Sequence, residues 1–217
     1  MPKSNTSFES VEFAGYTWLV LERKDGKALL LKDTVIDITT EAGFDKNLFI
    51  NSRYSEHNWE TNPYRQWVRE NFYERLTQDA KSKILLTDVR NSGIHSWFGG
   101  NGGNDTQDYV FFLSDQETVK YFGDSGKYSQ GNSQGFMSWG KLKDKYNKSR
   151  IGYTDDGKKM DWWLRTLSKV ELSPPFPAPF SQFSFVNTSG HIMVFGQDVG
   201  DYHIGIRPAL WVDEKNV

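Results

Sequence analysis

The sequence predicts an α+β fold. Three features carry that expectation: a strand hairpin near the N-terminus, two helices with their own start signals, and a return to strands in the last third. In the hairpin, Tyr16 to Glu22 is rich in β-branched and aromatic residues, Asp25-Gly26 supplies a two-residue turn, and Ala28 to Leu31 returns. Apolar runs on both arms predict burial on two faces, and Val35 to Ile38 is read as continuing the sheet. The first helix has Asn62 as cap and Pro63 at its first position, with Trp67, Val68, Phe72 and Leu76 as the core-facing stripe. The second starts at Ser114-Asp115-Gln116-Glu117, a capping box, directly after Tyr109 to Leu113, which reads as a buried strand. Strands are then predicted over Asp161–Thr166, over Phe183–Val186 paired with His191–Phe195 across Thr188-Ser189-Gly190, and over Gly205–Val212, where Pro208 suits an edge or a bulge.

Between these elements lie three long stretches of turn chemistry that nevertheless carry aromatic residues. They are 91–108 with Trp97 and Phe98, 123–140 with Tyr128, Phe136 and Trp139, and 172–182 with Phe176 and Phe180. Long loops in a compact domain are uncommon and often functional. These aromatics, together with Asp201, Tyr202 and His203, are the predicted ligand-contact residues. Their rings offer large contact area at small entropic cost, and they stack on sugar faces or fill a partner's pockets.

Composition limits the remaining choices. The 217 residues include eight Trp, ten Tyr and fifteen Phe, enough to build a core although hydrophobic residues make up only 37%. There is no Cys, which excludes disulfides, thiolate metal sites and a cysteine nucleophile. A net charge of −2 with interspersed signs offers no basic face for nucleic acid, and Lys141, Lys143, Lys145 and Lys148 read as a solvated face. No apolar run approaches the ~18 residues of a membrane span, and Met1 to Asn5 lacks an apolar signal core. A soluble protein is therefore expected; a secreted, surface or phage-associated location would require a removed export signal. With no internal repeat and no linker, the expected organisation is an N-terminal extension over 1–12 and one domain over 13–217.

Catalytic constellations are thin. His57, His95, His191 and His203 form no metal-binding pair on a helix, there is no nucleophile elbow, and Gly99 to Gly103 lacks the setting of a phosphate loop. Asn104, Asp105 and Asp108 are hard oxygen donors suited to calcium but have no EF-hand spacing, so they read as a solvated loop. Asp124, Asp155, Asp156, Asp161, Asp198 and Asp201 lie near loops, where two of them could serve glycoside hydrolysis. Arg165 and Arg207, each in an apolar strand context, read as ties between strands and loops rather than pocket residues.

Trp162-Trp163-Leu164-Arg165-Thr166 and Gly205-Ile206-Arg207-Pro208-Ala209-Leu210-Trp211-Val212, with Phe13 to Leu21 and Tyr109 to Ser114, resemble an uncharacterised bacterial domain family with "WWLR" and "RPALW" motifs. That family is similar to the C-type-lectin-like fold in its formylglycine-generating-enzyme-like form, shared by the variable proteins of diversity-generating retroelements. The resemblance implies a small twisted antiparallel sheet with two flanking helices, the N- and C-terminal strands together, and long loops displaying the binding surface. In a retroelement variable protein the displayed positions would lie near Trp162 and in 196–204. The known chemistries of the fold do not carry over: the generating enzyme's cysteines, the His cluster of the related iron enzymes and the Glu-Pro-Asn or Gln-Pro-Asp sugar motifs are all missing. The expectation is a cofactor-free, non-enzymatic binding domain for a protein or glycan. The alternatives are a glycan-acting hydrolase or an assembly module of a phage or surface appendage, for which a large apolar patch and a symmetric oligomer would be the signs.

Overall fold

A computed structural model describes residues 8–53, 55–91, 102–130, 141–168 and 181–217. Trp97, Phe98, Phe136, Trp139, Phe176 and Phe180 lie outside the described residues. In chain order the strands are β1 (Glu9–Phe13), β2 (Tyr16–Lys24), β3 (Lys27–Lys32), β4 (Ile84–Leu85), β5 (Thr87–Val89), β6 (Thr106–Asp108), β7 (Lys141–Leu142), β8 (Gly152–Tyr153), β9 (Lys159–Met160), β10 (Trp162–Ser168), β11 (Gln182–Val186), β12 (Ile192–Asp198) and β13 (Ala209–Asp213). The α-helices are α1 (Lys46–Ser52), α2 (Pro63–Trp67), α3 (Gln78–Lys83), α4 (Asp115–Phe122), α5 (Lys127–Gln130) and α6 (Asn147–Arg150). The architecture is mixed α+β, with several small antiparallel sheets and short helices. No helix among the described residues is long and apolar enough to cross a membrane.

The larger sheet has the order β1-β2-β3-β13-β4. Asp25 and Gly26 both have positive φ, 51° and 72°, the backbone that a two-residue hairpin turn requires. The predicted hairpin forms, and β3 is buried from Ala28 onward, on both faces. The sheet starts earlier than the sequence suggests, because Glu9–Phe13 pairs with β2. β13 lies inside the sheet, antiparallel to β3 on one side and to β4 on the other. Pro208 therefore falls just before the strand, where no ladder donor is needed and its carbonyl accepts from the Lys32 amide at 2.9 Å.

The segment Tyr109–Leu113, predicted as a strand, makes only one bridge, Phe111 to Ala209. Phe111 takes the next position along the β13 edge that β4 already uses, leaving room for a bridge and not a ladder. Val35–Ile38 likewise contributes one bridge, Ile36 to Ile206, before a 3-10 turn at Ile38–Thr40. The second sheet has the order β10-β11-β12-β7, and a parallel bridge between Trp162 and Gly205 links it to the chain entering β13.

Both predicted helix starts are present. The Asn62 side chain accepts from the Tyr64 amide at 2.8 Å, with Pro63 at the first position. The helix does not continue as predicted: Val68–Phe72 is a π turn followed by a 3-10 turn at Tyr73–Arg75. The i to i+5 repeat of the π turn aligns Trp67 with Phe72, and both are buried. At α4, Ser114 Oγ accepts from the Glu117 amide at 3.1 Å and Glu117 Oε2 accepts from the Ser114 amide at 2.8 Å, the reciprocal capping box.

Glu117 has a second task. Arg165 on β10 donates to both of its carboxylate oxygens and to the Phe112 carbonyl at 2.6 Å, tying β10 to the start of α4. Burial pushes the Glu117 carboxyl up, but the Arg165 charge and hydrogen bonds outweigh it and hold the group below its usual range.

One core joins the two sheets and the helices; Trp18, Trp59, Trp162, Trp163, Phe49, Tyr64 and Phe112 are among its least exposed members. The β11–β12 turn docks on this body through Gly190, whose φ is 78°. A Cβ there would lie 1.8 Å from the Asn147 carbonyl oxygen. Gly190→Ala is expected to cost at least about 2 kcal/mol through backbone strain and that clash. Ser189→Ala at the neighbouring exposed position should cost less than about 0.5 kcal/mol. Thermal unfolding of the two variants side by side checks this.

Candidate functional site

Three of the predicted contact residues come together as a ledge in the connection from β12 to β13. The turn is built locally: the Asp198 carboxylate accepts from the Gly200 amide at 2.8 Å, and the Asp201 carboxylate accepts from the His203 amide at 3.2 Å. It is also fixed from below, because the buried Tyr64 hydroxyl donates to the Asp201 carbonyl at 2.9 Å. Arg53 pairs with Asp198 at 3.1 Å and closes the flank. On this turn Tyr202 is half-buried and His203 is exposed, with their rings 4.4 Å apart.

The ledge is completed by residues that sequence reasoning missed. Phe44 packs against Tyr202 with ring centroids 5.7 Å apart, and Lys46 places its ammonium 5.4 Å from the Tyr202 ring centroid. Asp45, the N-cap of α1, accepts from the Asn47 amide and sets the direction in which these neighbours enter. The cap was a local signal available in the sequence; the approach of Phe44 to Tyr202 was not. From Phe44 a run of ring contacts leads inward through Phe49, Tyr64 and Trp163, with spacings of 5.9, 4.6 and 5.3 Å. The half-buried Tyr202 ring therefore rests on a packed aromatic column.

Asp161 lies close by, at the start of β10. Burial raises its carboxyl above the usual range, the Thr188 amide at 2.6 Å opposes that, and the Asp201 charge adds to it.

Other expected contact positions are corrected. Tyr128 on α5 is buried, with its phenol beside the Asp115 carboxyl, and burial followed by the Asp115 charge pushes the phenol well up. An enclosed ring on the first turn of a short helix fills the core and offers no contact surface. Trp162, near which display was expected, is fully buried, as are Val199 and Ile204 within 196–204. Display in that stretch narrows to its half-buried and exposed members.

Asp108 is not in a solvated loop. It is buried, accepting from Arg65 at 2.8 Å, Trp59 Nε1 at 3.1 Å and Thr106 at 2.7 Å, while Asp105 accepts from the Asn91 amide at 2.8 Å. These carboxylates hold the β5–β6 region together. Among the described residues no group of three or more His, Cys, Asp or Glu is placed to hold a metal ion.

The model of a family described as a domain of unknown function, DUF6273, matches residues 25–214. The chain belongs to that family. The DUF6273 region begins at the β2–β3 turn and ends just beyond β13, so it contains the ledge, the second sheet and the pairing of β3 with β13. No curated protein and no solved structure matches the chain.

Proposed function

We propose that this DUF6273 domain is a ligand-binding module on a C-type-lectin-like scaffold, recognising a protein or glycan through exposed aromatic residues. The scaffold reading is supported by the terminal strand β13 lying against the opening hairpin. The binding reading rests on one observation: the half-buried Tyr202 and the exposed His203 sit on a turn whose backbone is anchored to the buried Tyr64 hydroxyl. A contact surface held rigid before binding gives up little conformational entropy when a ligand docks. Lys46 adds a hydrogen-bond donor at its rim, suited to a sugar hydroxyl or a backbone carbonyl.

The test is a glycan-array and bacterial-surface binding screen on the purified protein. Truncation of a central aromatic contact costs about 2 kcal/mol, so Tyr202→Ala is expected to weaken binding about 30-fold with an unchanged circular dichroism spectrum. Equal binding by wild type and variant, or no binding to any surface, would remove the ledge from the reading.

A second reading, a glycan-acting hydrolase, is favoured by the raised Asp161 carboxyl beside the Asp201 charge, a pairing suited to a general acid and its counterpart. On that reading polysaccharide incubated with the protein releases reducing ends, and Asp161→Asn abolishes the release. No release from wild type across a polysaccharide panel leaves the binding module.

A further inference from the structure

A separate concavity, sharing no residue with the ledge, is built where β2 begins, β3 ends and the β8–β9 hairpin folds over them. Its cavity of about 470 Å³ is lined by Tyr16, Lys32, Thr34, Tyr153, Asp155 and Arg207, among others. A second cavity of about 350 Å³ shares Tyr16, Lys32, Thr154 and Asp155 with it. This is within the size range of small-ligand sites.

Two of the wall residues are buried cations. Arg207 is 3% exposed and Lys32 is 4% exposed. Arg207 donates through Nε to the Lys32 carbonyl and through Nη2 to the Asp33 carbonyl, each at 2.8 Å, and its guanidinium lies over the rings of Trp162 and Phe122. Its Nη1 is enclosed and has no hydrogen-bond partner among the described residues. The nearest carboxylate, Asp33, stands 3.9 Å away, beyond hydrogen-bond distance.

Lys32 is bonded to the Thr34 hydroxyl, lies 5.5 Å from the Tyr16 ring centroid, and has Asp155 as its counter-ion at 3.6 Å. The Asp155 side chain is 84% exposed, so water screens it, and its hold on this wall is the Thr34 hydroxyl, which donates to it at 2.5 Å. Burial pushes the Lys32 ammonium below its ordinary value, the Asp155 carboxylate opposes that and the Arg207 charge adds to it; burial pushes Arg207 to about 10 against the Asp33 charge. Two desolvated positive charges thus share one wall, with Asp155 at 3.6 Å from Lys32 and Asp33 at 3.9 Å from Arg207 as their carboxylate partners. Buried cations of this kind are ordinarily paired.

We propose that this cleft binds a carboxylate-bearing sugar, whose carboxylate takes the place of Asp155 on Lys32 and whose ring lies against Tyr16. The carboxylate replaces Asp155 as the counter-charge of Lys32, and the exposed Asp155 exchanges its Thr34 hydrogen bond for water. The hydroxyls of Thr17, Thr34, Ser149 and Thr154 line the same cavity; each donates its proton within the protein and keeps a lone pair that can accept from a sugar hydroxyl, while the rings of Tyr16 and Tyr153 suit its apolar faces.

The experiment is titration calorimetry of the full chain with glucuronic acid and N-acetylneuraminic acid, with glucose and inorganic phosphate as controls. The acidic sugars should bind at least tenfold more tightly than glucose, with affinity falling as salt is raised. Lys32→Met should weaken them about tenfold. Asp155→Ala should tighten them severalfold, because it removes the competing carboxylate; a merely structural ion pair would not give that sign. Acid and neutral sugars binding alike, phosphate binding without the sugars, or Asp155→Ala leaving affinity unchanged or weaker would each overturn the proposal.

Discussion

Arg150→Met is expected to lower the unfolding free energy by about 3–5 kcal/mol, the scale of breaking a buried ion pair by removing one partner. Arg150 on α6 is completely buried, and the side chain of its partner Asp144 is 1% exposed. The guanidinium donates to Asp144 at 2.9 Å and to the Gly123 carbonyl at 3.0 Å, joining α6 to the end of α4. Methionine fills similar volume but leaves an enclosed carboxylate whose remaining donors among the described residues are the Tyr146 amide and the Ser125 hydroxyl.

The deficit should depend on pH. In the wild type, burial raises the Asp144 carboxyl, but Arg150 more than compensates and the group sits below its ordinary value. A depressed folded-state value contributes stability that is present above the unfolded value and lost as pH falls through the folded one. Without Arg150 burial is opposed by the Tyr146 amide and the Ser125 hydroxyl, so the folded value rises and the stabilising contribution present at neutral pH shrinks. The gap between wild type and variant is therefore largest at neutral pH and narrows on acidification. Urea unfolding at pH 7 and at about pH 2.5, below the ordinary carboxyl range, reads this directly. An equal gap at both values would assign the loss to packing instead of charge. Arg150→Met combined with Asp144→Leu should recover part of the loss, since no stranded charge remains.

The second large effect concerns Trp162. Trp162→Ala is expected to cost about 3–5 kcal/mol, the usual range for removing a fully buried large aromatic. The ring is 0% exposed, packs near Phe122, and carries the Arg207 guanidinium 5.3 Å from its centroid. Its Nε1 donates to the Arg150 carbonyl at 3.0 Å. Trp162→Phe keeps most of the apolar contact and removes that donor, so a smaller loss of about 1–3 kcal/mol is expected. Because Trp162 bonds the backbone of Arg150, the two substitutions should not add, with a coupling of about 0.5–3 kcal/mol in a double-mutant cycle. A Trp162→Ala loss below about 1 kcal/mol would mean that the ring is on display.

The sequence by itself determined the parts of this protein whose causes are local. Asp25-Gly26 sets its own turn, Asn62-Pro63 starts α2, and Ser114 with Glu117 closes the capping box, because each signal needs only residues within one turn of each other. The alternation around Gly190 placed the β11–β12 hairpin for the same reason. Of the ledge, Asp201, Tyr202 and His203 were legible, since a short polar turn carrying aromatics is a local pattern.

Only the tertiary structure decided what depends on which faces meet. Tyr109–Leu113 has the composition of a strand, but the edge it would join is shared with β4. Trp162 and Tyr128 look the same in sequence as a displayed aromatic, and burial alone separates core from surface. Lys32 reads as the polar end of a strand until the β8–β9 hairpin and Arg207 close around it. Phe44 and Lys46 reach Tyr202 from far along the chain. Local propensity is a sum over neighbours in sequence, whereas desolvation and charge pairing are set by neighbours in space, and those exist only once the sheets have packed.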